Sequence, residues 1–257
     1  MARKRKKKKS PALSFLKIIF WLSLCFVGIY YLVTFLRPQA DIFYAGFQIN
    51  IPQPYEIHGI DVSRYQQTIN WEEVAAMEDN GVKIGFAFIK ATEGVQNVDP
   101  QFRRNWLKAE KEQIARGAYH FFIPGKNPAR QAENFMQIVT LKKGDLPPVL
   151  DIEIARRLPV EQIQKEVKIW LAAVENEYGV KPIIYTNIDF YQRYFNEGFE
   201  DYPLWIAHYL QPNKPRISKK WSFWQHSERG RVNGIKSAVD FNVFYGDSSD
   251  FFNLLKQ

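Results

Sequence analysis

From residue 57 onward, short apolar runs alternate with longer stretches in which apolar residues recur every three to four positions. Ile57-His58-Gly59-Ile60-Asp61-Val62 predicts a strand. Asn70-Trp71-Glu72-Glu73 predicts a capping box, with Asn70 as the cap, opening a helix that Asn80-Gly81 stops. Ile84 to Lys90 predicts a buried strand, and Asp99-Pro100 a cap with proline at the first helical position of a helix reaching about Gln113. A third strand covers Gly117 to Phe122, a helix Pro128 to Thr140, and a fourth strand Val149 to Ile152. Val160, Ile163, Val167, Trp170, Leu171, Val174 and Tyr178 then fall at helical spacing between Pro159 and Gly179. Pro182 to Thr186 is strand five. Leu204–Ala207, Trp221–Gln225 and Val239–Phe244 follow as strands without full helices between them.

Five strand–helix units followed by strand-rich sequence predict an α/β fold, a mainly parallel sheet with covered faces. About eight strands in about 200 residues fit a closed barrel. An open doubly wound sheet is the alternative, but no Gly-rich phosphate loop follows the first strand.

The amino terminus breaks this pattern. Ile18 to Leu36 holds no charge, and as a helix of 19 residues it spans about 28 Å, close to the hydrocarbon thickness. Trp21 lies near one end, and Tyr30 and Tyr31 nearer the other. The run is too long for a signal-peptide core, and no small-x-small cleavage site follows Leu36. These features predict a single transmembrane helix at 18–36. The basic tail 1–17 then stays cytoplasmic, a stem occupies 37–56, and the domain at 57–257 lies on the extracytoplasmic side.

Charge follows the same division. Arg3, Lys4, Arg5, Lys6 to Lys9 and Lys17 carry +8 in residues 1–36, which equals the net charge of the whole chain. With those eight set aside, 27 basic residues remain against 27 acids, so the globular part is neutral and a nucleic-acid partner loses its support. The sole cysteine, Cys25, falls in the apolar run, so the outer domain uses no disulfides.

Candidate chemistry collects at the predicted strand ends. Pro147-Pro148-Val149-Leu150-Asp151-Ile152-Glu153 ends in two acids that a strand turns to one side, with Cα atoms roughly 6.6 Å apart. Like charges held that close keep a carboxyl protonated near neutral pH. Asp61, Lys90, Tyr119, Tyr185, Trp205, Gln225 and Asp240 mark other strands. Acids ringed by aromatic rings suit a sugar. Bland roles compete: Asp61 as a turn cap through Ser63, Lys90 as a neutralising charge, and Tyr119, Tyr185, Trp205 and Trp224 as core. The histidines lack metal-ligand spacing, so neither a metal nor a cofactor is expected, and no Gly-x-Ser-x-Gly elbow appears.

These motifs resemble family 25 of the glycoside hydrolases. The resemblance rests on His58-Gly59-Ile60-Asp61-Val62-Ser63, Phe88-Ile89-Lys90-Ala91-Thr92-Glu93-Gly94, Gly117-Ala118-Tyr119-His120-Phe121 and Pro148-Val149-Leu150-Asp151-Ile152-Glu153. Pro182-Ile183-Ile184-Tyr185-Thr186, Leu204-Trp205-Ile206-Ala207, Phe223-Trp224-Gln225 and Val239-Asp240-Phe241-Asn242 extend it to about residue 250. It implies an irregular TIM-like barrel of the (β/α)5(β)3 type. It also implies a lysozyme, an N-acetylmuramidase cutting the β-1,4 bond between N-acetylmuramic acid and N-acetylglucosamine in peptidoglycan. Glu153 is then the general acid, with Asp151, Asp61 and Asp240 as the other catalytic acids. Tyr119, Lys90, Tyr185, Trp205 and Gln225 would bind substrate. The tail from Gly246 to Gln257 shows none of the wall-binding repeats of many secreted members.

The expected partners are peptidoglycan strands and, through 18–36, a membrane. The alternative is an inactive, membrane-tethered peptidoglycan-binding module. A chitinase-like barrel would need a D-x-x-D-x-D-x-E string, which is absent. Substrate-assisted and inverting mechanisms are both compatible with the sequence.

Overall fold

A computed structural model describes residues 11–36 and 42–257, with the side chains of the first stretch described from 19 to 32. The basic run at 1–10 and the start of the expected stem, 37–41, lie outside the described residues. The chain divides between Gln39 and Ala40 into two compact units.

The first unit holds helix α1 (Pro11–Leu36), whose described side chains include exposed Phe20, Trp21, Leu22 and Phe26. Among the described residues, no helix is long and apolar enough to cross a membrane, so the structure lends no support to the transmembrane helix expected at 18–36.

The second unit begins with a hairpin pairing Ile42–Tyr44 with Ile49–Ile51. Tyr44, Phe47, Ile49 and Ile51 are buried in the core, and the Phe47 ring lies 5.0 Å from Phe241. From Ile42 on, the stretch expected as a stem is folded onto the domain.

Among the described residues, eight strands then close a barrel: β1 (His58–Val62), β2 (Val82–Glu93), β3 (Ala115–Phe121), β4 (Val149–Asp151), β5 (Ile183–Asn187), β6 (Leu204–Ala207), β7 (Phe223–Gly230) and β8 (Val239–Phe244). β1 to β7 pair in sequence order, all parallel. β8 is antiparallel to both neighbours, β7 and β1, and completes the circle. A helix follows each of the first five strands: α2 (Trp71–Ala76), α3 (Phe102–Lys111), α4 (Pro128–Ile138), α5 (Val160–Tyr178) and α6 (Ile188–Tyr194).

The helices form where their apolar stripes meet the barrel. α5 buries Ile163, Val167, Trp170, Leu171 and Val174 on one face, and stops at Gly179, whose φ of +69° only glycine adopts freely. Two expected caps differ. The Asn70 side chain makes no cap bond and instead donates to Glu73 Oε1 at 2.7 Å. α2 ends at Ala76 because Glu78 and Asp79 pair with Lys83 and Val82 around Asn80-Gly81. Asp99 accepts the Gln101 and Arg64 amides, each at 2.8 Å, and α3 begins only at Phe102.

Two apolar layers hold the barrel. The outer layer lies between strands and helices. The inner one holds Phe86, Phe88, Tyr185, Trp205 and Phe223, with Trp205 stacked on Phe88 at 4.3 Å. Burying each such ring contributes about 1.5–3 kcal/mol. Gly59 makes room for this filling, since a Cβ there would lie 2.4 Å from the Phe86 ring. Helix α7 (Ser248–Leu254) continues the inner layer. Its Phe251 lies 5.8 Å from Phe86 and 5.1 Å from Phe244.

Arg116 of β3 is fully buried. Its guanidinium donates to Asp145 at 2.8 Å, Glu110 at 2.9 Å and the Trp106 carbonyl at 2.7 Å, and lies 4.1 Å over the Trp106 ring.

Candidate active site

The barrel brings distant acids to one rim. Asp61 sits near the carboxyl end of β1. Asp240 sits near the start of β8, which in a parallel strand would place it at the opposite rim. Because β8 runs antiparallel, Asp240 becomes the register partner of Asp61. Asp151 ends β4, and extended pairing continues for one more residue. The Ile152 amide donates to the Tyr185 carbonyl at 3.0 Å, and its carbonyl accepts the Thr186 hydroxyl at 2.6 Å. Glu153 therefore leaves on the same side as Asp151, and the two carboxyls share a hydrogen bond.

One cavity of about 210 Å³ is lined by all nine residues expected at the site: Asp61, Lys90, Tyr119, Asp151, Glu153, Tyr185, Trp205, Gln225 and Asp240. Ser63, Tyr65, Gln66 and Phe121 also line it. A hydrogen-bonded web fixes its floor. Asp61 Oδ2 accepts from Gln225 Nε2 and Asn242 Nδ2, both at 2.8 Å. Gln225 Oε1 accepts the Tyr185 hydroxyl at 2.9 Å and the Tyr209 hydroxyl at 2.6 Å. Trp205 Nε1 donates to Asn242 Oδ1 at 2.8 Å.

The competing roles of these residues separate here. Ser63, not Asp61, caps the turn at Arg64–Gln66. Lys90 does neutralise an acid, Glu93 at 2.7 Å, while its ammonium stays at the cavity edge over Phe121. Trp205 serves both as core and as cavity wall. Trp224 is core, its indole bonded to the His208 carbonyl at 2.9 Å. Asn242 and Tyr209 went unforeseen. Asn242 follows Asp240 by two, a same-face spacing that could have found it, whereas Tyr209 lies beyond β6 with no periodic signal.

The site is acidic and its carboxyls are largely buried, which raises them. Burial, then the Glu153 charge, holds Asp151 well above the usual carboxylate range, and burial also raises Glu153. Asp61 is raised by burial, an effect its donors Asn242 and Gln225 oppose. Asp240 is pushed up to about 9 by burial, then by the charge of Asp61, to which it is hydrogen-bonded. The four acids thus form two hydrogen-bonded pairs, and each retains a proton near neutrality. Tyr119 and Tyr185 are raised by burial first and by these acids second, so both stay phenols that can donate hydrogen bonds.

The retained proton on Asp240 has a measurable cost. Unfolded, the group titrates near 4; folded, near 9. Between those values the native state holds a proton that the unfolded state has lost. Stability present at acid pH therefore drains away as pH rises through this window. Asp240→Asn keeps the neutral form at every pH. Its melting temperature is expected to exceed that of the wild type at pH 8 by a few degrees, about 1–2 kcal/mol, with no gain at pH 4. An unfolding series from pH 4 to 8 checks this, and equal slopes for the two proteins would refute it.

No group of three or more His, Cys, Asp or Glu among the described residues could hold a metal ion. His58, His120 and His226 are buried, and burial lowers them to about 4, 3 and 3, so all are neutral at pH 7.

Residues 60–235 match Glycosyl hydrolases family 25. The chain is 49% identical over 201 residues to the protein YegX of Escherichia coli K12, covering 78% of this chain and 74% of that one. It is 33% identical to Lysozyme M1 of Streptomyces globisporus, covering 75% and 69%. Among solved structures, a family 25 glycosyl hydrolase from Bacillus anthracis superposes with a TM-score of 0.72 at 34% identity, covering 84% of this chain and 97% of the other. The lysozyme of Streptomyces coelicolor gives 0.69 at 32%, covering 78% and 97%. A profile match over most of the barrel, with the same fold in solved relatives, establishes that this chain belongs to glycosyl hydrolase family 25 and is a glycosidase of the lysozyme type.

Proposed function

We propose that the enzyme hydrolyses the β-1,4 bond between N-acetylmuramic acid and N-acetylglucosamine in peptidoglycan, with Glu153 as general acid. The observation that carries this reading is the proton-sharing pair Asp151–Glu153 in the wall of an acid-lined cavity. Glu153 is the less buried member and sits nearer the opening, where a glycosidic oxygen can reach it. In the free site the pair holds a proton across its shared hydrogen bond, and Glu153 delivers it. As the C1–O4 bond breaks, Glu153 protonates the departing O4, and a water adds to C1 and returns its proton to the carboxylate pair. Asp151, as the carboxylate, either steadies the oxocarbenium-like centre or orients the 2-acetamido group for substrate assistance. Asp61 and Asp240 hold the far wall, and Tyr119, Lys90, Tyr185, Trp205 and Gln225 contact the sugars.

An inactive peptidoglycan-binding module is disfavoured by the intact acids and their retained protons. Purified protein is expected to release new reducing ends from peptidoglycan, which borohydride converts to N-acetylmuramitol. Glucosaminitol ends would move the cut to the other bond, and no ends at all would leave only binding.

Membrane attachment through 18–36, with the barrel outside the cytoplasm, is part of the same proposal. It draws on the uncharged run, the basic residues before it and the exposed apolar side chains of α1. Such a tether would confine cutting to wall near the membrane. Protease added to intact spheroplasts should then digest the barrel, and full protection would refute this topology.

A further inference from the structure

A second cavity, of about 460 Å³, lies where the amino-terminal hairpin packs beside β7 and the segment after β6. Phe43 and Asn50 line it from the hairpin, Leu210 and Gln211 from that segment, and Ser227 and Arg229 from β7. It lies across β7 from the catalytic cavity. Tyr209 reaches Gln225 on the catalytic side while the next residue, Leu210, lines the groove. Gln225 itself lines the first cavity and His226 the second. The register of β7 shifts between Gln225 and Ser227, and this bulge lets consecutive residues face the groove together.

Three features show what the groove accepts. His226 is 7% exposed and lines the groove, and among the described residues its Nε2 has no hydrogen-bond partner. A buried polar atom left so is costly, and a ligand that bonds to it recovers that cost. Arg229 is exposed, and among the described residues lining the groove its guanidinium is the one charged group. Its planar fork suits a carboxylate. The amides of Gln48, Asn50 and Gln211 match peptide groups, while Phe43 at 61% and Leu210 at 91% exposure offer apolar contact. A carboxylate, amides and apolar contact together describe an acidic peptide. The hairpin that completes the groove lies outside the family-matched residues 60–235.

We propose that this groove binds the acidic peptide stem borne on the muramic acid of the substrate, seating its carboxylate on Arg229 and its backbone on the groove amides. This rests on the muramidase reading above, because the stem hangs from the sugar that the neighbouring cavity would hold.

The test compares wild type with Arg229→Gln on peptidoglycan strands that carry stems and on the same strands stripped of them by an amidase. Arg229 is exposed, so the substitution leaves folding intact. The variant is expected to raise KM about tenfold on stem-bearing strands and to leave stripped strands unchanged. In parallel, calorimetry with the free acidic stem peptide should show affinity about tenfold weaker in the variant. Equal kinetics on both substrates with unchanged peptide affinity would overturn the proposal. So would loss of binding to phosphatidylglycerol vesicles with peptide binding intact, which would make the groove a lipid contact. If wild type cuts neither substrate, the muramidase reading fails, and the calorimetry alone then decides the groove.

Discussion

Glu153→Gln is expected to lower kcat on peptidoglycan by on the order of a thousandfold, within the range that a positioned general acid contributes. The amide keeps the size and the polar contacts of the carboxyl but cannot give up a proton to a leaving oxygen. KM should change by no more than about twofold, because ground-state contacts to the sugars survive. Folding should not suffer, since Gln replaces an acid that burial already holds above its ordinary range. The wild-type rate carries its own signature: it should fall on the alkaline side as the Asp151–Glu153 pair loses its shared proton. Reducing-end release measured from pH 4 to 9 reads both effects. A variant that retains more than a tenth of wild-type kcat would remove Glu153 from the role of acid.

The largest expected effect on stability lies away from the cleft, at Arg116. Replacing it with Met leaves Asp145, itself buried, without the guanidinium that bonds it at 2.8 Å. It also removes the ring contact with Trp106. Breaking one half of a buried pair typically costs about 3–5 kcal/mol, most of it from the stranded charge. For a domain of this size that is a fall in melting temperature of roughly 10 °C. Adding Asp145→Asn to Arg116→Met should recover a good part of the loss, because no uncompensated charge then remains. Glu110 needs no such rescue, as it is partly exposed and keeps Lys142 at 2.6 Å. A double-mutant cycle followed by thermal unfolding supplies the numbers. A single variant within 1 °C of wild type would show that the pair contributes nothing net.

The alternation that forms the barrel was legible because each β/α unit changes the hydrophobic period from two to nearly four within about thirty residues. The acids were legible because Asp151 and Glu153 stand two apart after a run of buried residues. Direction was harder to read. Nothing in Val239-Asp240-Phe241-Asn242 says that β8 runs backwards, yet that reversal puts Asp240 beside Asp61. The helix of the fifth unit, α6, was not placed because its seven residues are too few to show a period, and only the Asn187 cap on the Phe190 amide marks its start. The hairpin at 42–51 was hidden for a related reason. The prolines around it, Pro38, Pro52 and Pro54, read as chain breakers, whereas Phe47 and Ile51 are wholly buried by contacts with sequence far downstream.

The pairing of β8 with β1 also sets when the enzyme comes into being. Asp61 and Asp240 are about 180 residues apart in sequence and meet only when the last strand seals the circle. Such long-range closure is entropically expensive and slow, and it comes late in synthesis, after the first seven strands have left the ribosome. An unfinished chain therefore carries its acids on an open sheet, with neither the Asp61–Asp240 pair nor the far wall of the cleft. Catalytic competence is deferred to the end of translation, so a hydrolase of this kind is harmless to its maker until it is whole.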